Sequence, residues 1–312
     1  MSANTPDNRS PLLVWGALTI VYVVWGSTYI GIMITIETMP PILSGALRFD
    51  TAALLVAGFL MVRKGPAAFR MTGRQFGGAA LVGLLLLTGG NGMVAVAEQH
   101  ISSGLTALLV ASVPLWLVVF RIVTRDRPAL MTLSGVLVGF AGVAALSLNG
   151  GGAASDPAGI AVILVASLSW AVGSFLSGRV PTPANVWAAS GVEMAVGGAG
   201  LLVAGLMFGE RLDVTAISGR SWAALAYLVL VGSLVGFTAY TWLLGNAPIS
   251  LVSTYAYVNP VVAVLLGVLM LGEHVTPQIL TGGAVILVGV ALVVSTERRA
   301  KGRTPVPEEV KV

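Results

Sequence analysis

SLVSTYAYVNPVVAVLLGVLML, residues 250–271, runs for 22 residues without a charge. A hydrocarbon core of roughly 30 Å is crossed by roughly 20 apolar helical residues, so this stretch is read as one membrane span. Nine more runs of the same kind are placed at 12–34, 41–62, 75–96, 102–123, 129–148, 158–178, 185–207, 221–244 and 278–296, for ten in all. The connectors carry turn residues, as in Met39-Pro40-Pro41, Asn149-Gly150-Gly151-Gly152, Pro181-Thr182-Pro183 and Gly272-Glu273-His274. Composition agrees. Of 312 residues, 56% are hydrophobic and only 10% charged, against roughly 25% charged in a soluble domain. Mean hydropathy is +0.92. The first run follows a polar stretch, Met1 to Ser10, is too long for a signal-peptide core and has no small-residue cleavage site, so it is expected to remain as a helix.

The net charge of +4 and pI near 9.7 do not indicate a nucleic-acid partner, because the basic residues lie in short clusters between apolar runs. One alternating set of connectors, with both termini, holds Arg9, Arg63, Lys64, Arg70, Arg74, Arg121, Arg125, Arg127, Arg179, Arg298, Arg299, Lys301, Arg303 and Lys311. The opposite set holds only Arg211 and Arg220, and Arg48 lies within the second span. Fourteen against two places both termini in the cytoplasm of a multi-pass protein of the cell (inner) membrane, and requires an even number of spans. With no cysteine, disulfides and thiolate metal sites are excluded.

The two halves resemble each other. Leu54-Leu55-Val56-Ala57-Gly58 recurs as Leu201-Leu202-Val203-Ala204-Gly205, Trp25 corresponds to Trp170, Pro114 to Pro260 and Gly135 to Gly283, at offsets of 145–148. A unit of five spans, an odd number, must insert its second copy upside down, and substrate sites of such inverted repeats lie near mid-membrane between the halves. The chain is accordingly divided into an N-terminal segment 1–11, a first unit 12–148, a connector 149–157, a second unit 158–296 and a C-terminal tail 297–312. The GxxxG pairs Gly135/Gly139, Gly205/Gly209 and Gly232/Gly236 point to close helix packing.

At these residues the chain resembles the drug/metabolite transporter superfamily, specifically its ten-helix EamA type. The resemblance rests on Asn259-Pro260 in a span ending Leu271-Gly272-Glu273 and followed by Gly282-Gly283. A degenerate copy runs through Ile101-Ser102-Ser103-Gly104-Leu105, Pro114, Gly135 and Gly139. Trp25-Gly26 and Ala46-Leu47-Arg48-Phe49 also match, and the likeness covers roughly residues 12–296. One departure is Asp126-Arg127 where the second half has Gly272-Glu273. The resemblance implies transport of small organic metabolites, commonly export, and the exporters of aromatic and other neutral amino acids are one branch it is similar to.

Several residues are candidates for the chemistry. Pro114 and Pro260 lie near the middle of their spans, where each removes a helical hydrogen bond and frees the carbonyls of Val110 and Ala256; both are read as helix breaks or hinges, against ordinary kinks. Trp25 and Trp170 sit at mid-span, away from the interfacial belt that suits Trp15, Trp187, Trp222 and Trp242; they and Trp116 are candidates for lining a substrate cavity, with helix packing as the alternative. Ser250, Ser253, Thr254 and Tyr257 share one helical face and are read as a substrate wall, with Asn259 ranked second. Asn91, in the poor helix former Gly89-Gly90-Asn91-Gly92, can donate and accept to a zwitterion or amide. Arg48, Asp50 and Glu193 are the deepest charges, and each needs a partner, a cavity or neutralisation. They would shape the cavity or couple transport to protons, or form a structural ion pair.

His100 and His274 fall in connectors outside any HExxH spacing, and no GxxxxGK[ST] occurs. No metal, cofactor or ATP hydrolysis by this chain is therefore expected, Glu273 is read as a capping residue, and nothing reads as an enzyme. The expected partners are a small-molecule substrate and membrane lipid, with the chain a monomer or homodimer. The leading reading is a secondary transporter, an exporter working by alternating access. A channel is the alternative, but it would favour a symmetric oligomer with rings of charge or carbonyls. A membrane enzyme lacks a catalytic cluster, and a scaffold has no use for mid-span Trp, Pro and Asn.

Overall fold

The computed structural model describes residues 11–124, 128–149 and 156–301, without the side chains of 147–149, 250, 257 and 297–301. Expectations placed on Arg9, Arg125, Asp126, Arg127, Gly150 to Gly152, Ser250, Tyr257, Arg298, Arg299, Lys301, Arg303 and Lys311 thus lie outside the described residues.

Ten helical spans follow one another: α1 (Pro11–Ile36), α2 (Pro41–Lys64), α3 (Gly73–Ala97), α4 (Ser103–Val123), α5 (Leu130–Asn149), α6 (Pro157–Ser177), α7 (Val186–Met207), α8 (Gly219–Asn246), α9 (Ile249–Val252 and Tyr255–Leu271) and α10 (Pro277–Lys301). Eight are long and apolar enough to cross a bilayer unaided. The apolar parts of the other two, Leu130–Leu146 and Val258–Leu271, are shorter.

Helix pairing shows the repeat. The most extensive contacts join α2 to α7 and α5 to α10, the second and fifth helices of each unit. Likewise α1 packs on α8 and α9, as α6 packs on α3 and α4. One two-fold operation exchanges every member of these pairs. It holds at atomic detail too. A Cβ on Gly90 of α3 would lie 2.8 Å from the Trp170 ring of α6, and one on Gly236 of α8 would lie 2.8 Å from Trp25 Nε1 of α1.

The connectors show that the second copy is inverted. The Glu273 carboxylate accepts from the Ser103 N–H (2.8 Å), the Ser103 hydroxyl (2.7 Å) and the Gly104 N–H (3.2 Å). That of Glu210 accepts from Ile42 N–H (3.1 Å) and Leu43 N–H (2.7 Å). His100 pairs with Asp156 (2.8 Å), Arg220 with Glu37 (3.3 Å), and Thr38 donates to Ser221 (2.9 Å). Each contact joins connectors that follow odd-numbered helices, so these share one face, the outer one by the charge bias. α1 therefore ends where its counterpart α6 begins. Glu273 is a cap, but of α4 in the other unit and not of the turn at the end of its own span.

Two kinds of irregularity recur in matching spans. α3 widens into a π-helix over Leu84–Gly92 and α8 over Leu228–Phe237. α4 is interrupted between Val110 and Val113 and α9 between Val252 and Tyr255. Pro114 stands in the first turn after the α4 interruption. Pro260 instead lies inside the continuous segment Tyr255–Leu271, so the break in α9 is not at the proline where the sequence reading put it. There the backbone tightens, the Thr254 and Ala256 N–H groups donating to the Leu251 and Ser253 carbonyls three residues back (both 3.1 Å), while the Ser253 and Thr254 hydroxyls turn back to the carbonyls of Ile249 and Leu251 (both 2.6 Å). Gly209 (φ +78°) ends α7 and Gly272 (φ +66°) ends α9, in the left-handed region that glycine enters without a Cβ clash. Gly209 therefore serves a turn, not the packing motif assigned to it.

Candidate substrate site

Where α1, α3, α4, α6 and α9 meet at mid-depth, a cavity of about 40 Å³ is lined by Trp25, Thr28, Tyr29, Asn91, Trp170 and Tyr255, among others. Both units contribute. The volume is enough for a few waters and too small for an organic solute, so the described conformation is closed around the site.

The aromatic walls form one cluster. Trp25 meets Trp170 edge-on (centroids 5.3 Å, 83°) and Tyr255 likewise (5.5 Å, 83°), and Tyr240 of α8 lies 4.7 Å from Trp25 and 5.5 Å from Trp170. A buried indole needs a partner for its N–H. Trp170 Nε1 finds it in the Tyr240 hydroxyl at 3.2 Å, which is also bonded to Ser174 Oγ at 2.6 Å. The Tyr255 hydroxyl is buried beside them without a well-formed hydrogen bond.

The polar wall is built by the π-helical part of α3, which turns Gly90 and Asn91 to the cavity. Arg48, buried at 3% exposure, donates from Nη1 to Asn91 Oδ1 (3.1 Å) and from Nε to Ser233 Oγ (2.9 Å). Among the described residues no carboxylate pairs with it. With Oδ1 occupied, the remaining polar end of the Asn91 amide is its NH2 donor. Arg48 thus fixes which way the amide presents itself. Val110, whose carbonyl Pro114 deprives of its helical donor, also lines the cavity.

Of the candidate site residues, Trp25, Asn91 and Trp170 come together here. Trp116 does not: it packs on Phe140 of α5 at 4.8 Å. Ser253 turns back on its own helix. Asn259 is buried, and its amide donates to the carbonyls of Tyr22 (3.0 Å) and Tyr255 (3.3 Å), tying α1 to α9. Glu193 accepts from Thr241 (3.1 Å) and does not pair with Arg48, so the ion pair weighed for these charges is not formed. Asp50 is half-buried on the outside of the bundle, against Gly198 of α7. Among the described residues no group of three His, Asp or Glu could hold a metal.

Sequence reasoning missed Tyr255, Tyr240 and Tyr29. A straight helix through 250–257 would put Tyr257 on the hydroxyl face; the interruption at Ser253-Thr254 changes the phase and brings Tyr255 inward. Tyr240 could have been found as the mid-membrane partner that a buried Trp170 N–H requires.

Comparison with known proteins agrees with this architecture. The model of the EamA-like transporter family matches residues 13–148 and again 157–295. The uncharacterized inner membrane transporter YedA of Escherichia coli is 39% identical over 289 residues, covering 91% of this chain and 92% of its own. The uncharacterized transporter YvbV of Bacillus subtilis is 23% identical over 95% of this chain and 94% of its own. A crystal structure with 20% identity superposes with a TM-score of 0.66 over 92% of this chain and 98% of that one, a likeness of fold. The chain is an integral membrane protein of the inner membrane and belongs to the EamA-like transporter family.

Proposed function

We propose that this transporter is a secondary exporter of small organic metabolites, amino acids with aromatic side chains among them, working by alternating access. The observation that carries the reading is the closed mid-membrane cavity between the two inverted units, with aromatic walls on one side and the Arg48-oriented Asn91 donor on the other. Flat rings at 4.7–5.5 Å suit an aromatic or apolar side chain. The Asn91 NH2 suits the carboxylate or carbonyl of the same solute, with the Arg48 charge behind it. The irregular segment Leu84–Gly92 of α3 gives Gly90 and Asn91 to the cavity, and Val110, the last residue before the interruption of α4, also lines it. Broken helices at the repeat interface are where transporters of this architecture bind solute.

A channel is disfavoured by the same observation, because packed rings close the pathway at its centre within a single chain. Enzyme chemistry finds no support in a cavity whose polar groups are amide, hydroxyl and indole. Reconstitution in liposomes with labelled amino acids, nucleosides and cationic drugs, with and without a pH gradient, tests the proposal. Saturable flux of an aromatic amino acid is expected. No saturable flux for any solute, together with ohmic ion current, would replace the transporter with a channel.

A further inference from the structure

The outer face carries six described acidic side chains with defined surroundings, and five of them are satisfied. Glu37 pairs with Arg220 and Asp156 with His100. Glu210 caps α2, Glu273 caps α4, and Asp213 accepts from Thr215 (2.6 Å). The sixth is Glu98, at the outer end of α3. It is 3% exposed, and among the described residues neither of its carboxyl oxygens has a hydrogen-bond partner.

Its position links two spaces. Glu98 borders an outer vestibule of about 620 Å³, together with Met33, Ile36, His100 and Glu273. One helical turn inward on the same elements, Ile32 of α1 and Val94 of α3 line the central cavity. Glu98 therefore stands at the partition between the closed site and the outer solution. The groups that face it are Glu273 from the α9–α10 connector, Tyr29 from α1, and His100 and Glu37 at the vestibule rim. None supplies a free cation: His100 is already paired with Asp156, and Glu37, Glu273 and Tyr29 carry no positive charge.

We propose that Glu98 is a proton-binding site on the transport pathway, filled when the outer vestibule closes over the cavity and emptied when it opens. A lone ionised carboxylate out of water is costly. With no cation among the described residues to compensate it, protonation is the remaining way to bury it. Burial pushes its carboxyl well above the ordinary range, and the like charge of Glu273 adds to the push. On opening, water reaches the group and it ionises. The proton comes from the outer solution on closing and returns to it on opening, so no net proton current is required. The closed state binds more protons than the open one. Its Glu98 contribution is complete below the ordinary carboxylate range and is lost as pH rises through the raised value. This rests on the alternating-access reading above.

The chain has no cysteine, so single-cysteine labelling reports the vestibule without needing any solute. Met33→Cys is labelled with a membrane-impermeant maleimide from outside at pH values from about 5.5 to about 9, either side of a raised carboxyl. Rates are divided by those of Val214→Cys, an exposed site on the outer α7–α8 connector, which cancels the pH dependence of the thiol. The ratio is expected to rise with pH, by up to about tenfold per unit. With Glu98→Gln, the shape of the protonated acid, it should stay at its low-pH value throughout, while Glu98→Asp keeps a rise. A flat ratio with Glu98 present, or a Glu98→Gln profile that follows the unsubstituted one, overturns the proposal. Absence of transport in liposomes would leave this readout standing, so the two failures can be told apart.

Discussion

Arg48 is buried in lipid-spanning structure with Ser233, Asn91 and the Phe49 ring, 4.7 Å away, as its surroundings. Hydrogen bonds to a charged group contribute about 1.5–3 kcal/mol, and those between neutral groups about 1 kcal/mol. Asn91→Ala removes the donor offered to the solute and the acceptor that holds Arg48 Nη1, so it is expected to raise the transport KM about 5–10-fold and to lower stability by about 1.5–3 kcal/mol, read as a fall in the melting temperature in detergent. Asn91→Asp keeps the shape but pairs with Arg48, so it should fold at least as stably and bind solute worse than Asn91→Ala. Equal KM values for both variants and the parent, by initial-rate flux, would remove Asn91 from the site. Trp25, Trp170 and Asn91 were legible in the sequence because a large indole or an amide at mid-span conflicts with lipid and must be explained. Trp116 fitted the same rule, yet it packs between α4 and α5; span depth alone does not tell which side of a helix faces the cavity. Glu98 escaped notice because it lies in a connector, where a carboxylate is ordinarily solvated.

The packing of α3 on α6 and of α8 on α1 depends on glycine where an indole crosses. Gly90→Ala and Gly236→Ala each force a Cβ to 2.8 Å from a tryptophan, and overpacking of this kind costs about 1–3 kcal/mol. Both should lower the melting temperature to a similar extent, as the two-fold relation requires. Gly245→Ala, whose Cβ would meet open space among the described residues beyond its own helix backbone, should stay within about 0.5 kcal/mol of the parent. A loss at one glycine and none at its counterpart would contradict the pairing. Glu273→Ala leaves the Ser103 and Gly104 N–H groups uncapped and should cost about 0.5–2 kcal/mol, read in the same melts. Element positions were readable because apolar length sets them directly, and Pro114 marked its interruption. The interruption of α9 was misplaced because it falls in a tight turn at Ser253-Thr254, where neither proline nor glycine marks it, while Pro260 is accommodated within the continuous helix beyond. The π-helical widenings had only the weak signal of clustered glycines, since a single extra residue per turn leaves hydrophobic length unchanged.

For the whole molecule, charge bias and the contacts among connectors agree on one topology. In intact cells an impermeant thiol reagent is expected to modify Val214→Cys and to leave Arg63→Cys unmodified. The reverse pattern would invert the protein, and modification of both would break the alternation. The inverted repeat was visible from an odd number of spans per unit and a recurring offset, which need no side-chain geometry. The cavity was not, because its walls come from five helices whose rotations are set only by mutual packing. The claim on which the functional account turns is that transported solute occupies this cavity. Ser167 is buried at its wall, and Ser167→Cys changes one atom in a chain that otherwise has no cysteine. The measurement is the rate at which a small permeant thiol reagent modifies that cysteine as the concentration of transported solute rises. The account predicts slowing that reaches half its extent at the transport KM. A rate indifferent to solute, in protein that transports normally, would contradict it.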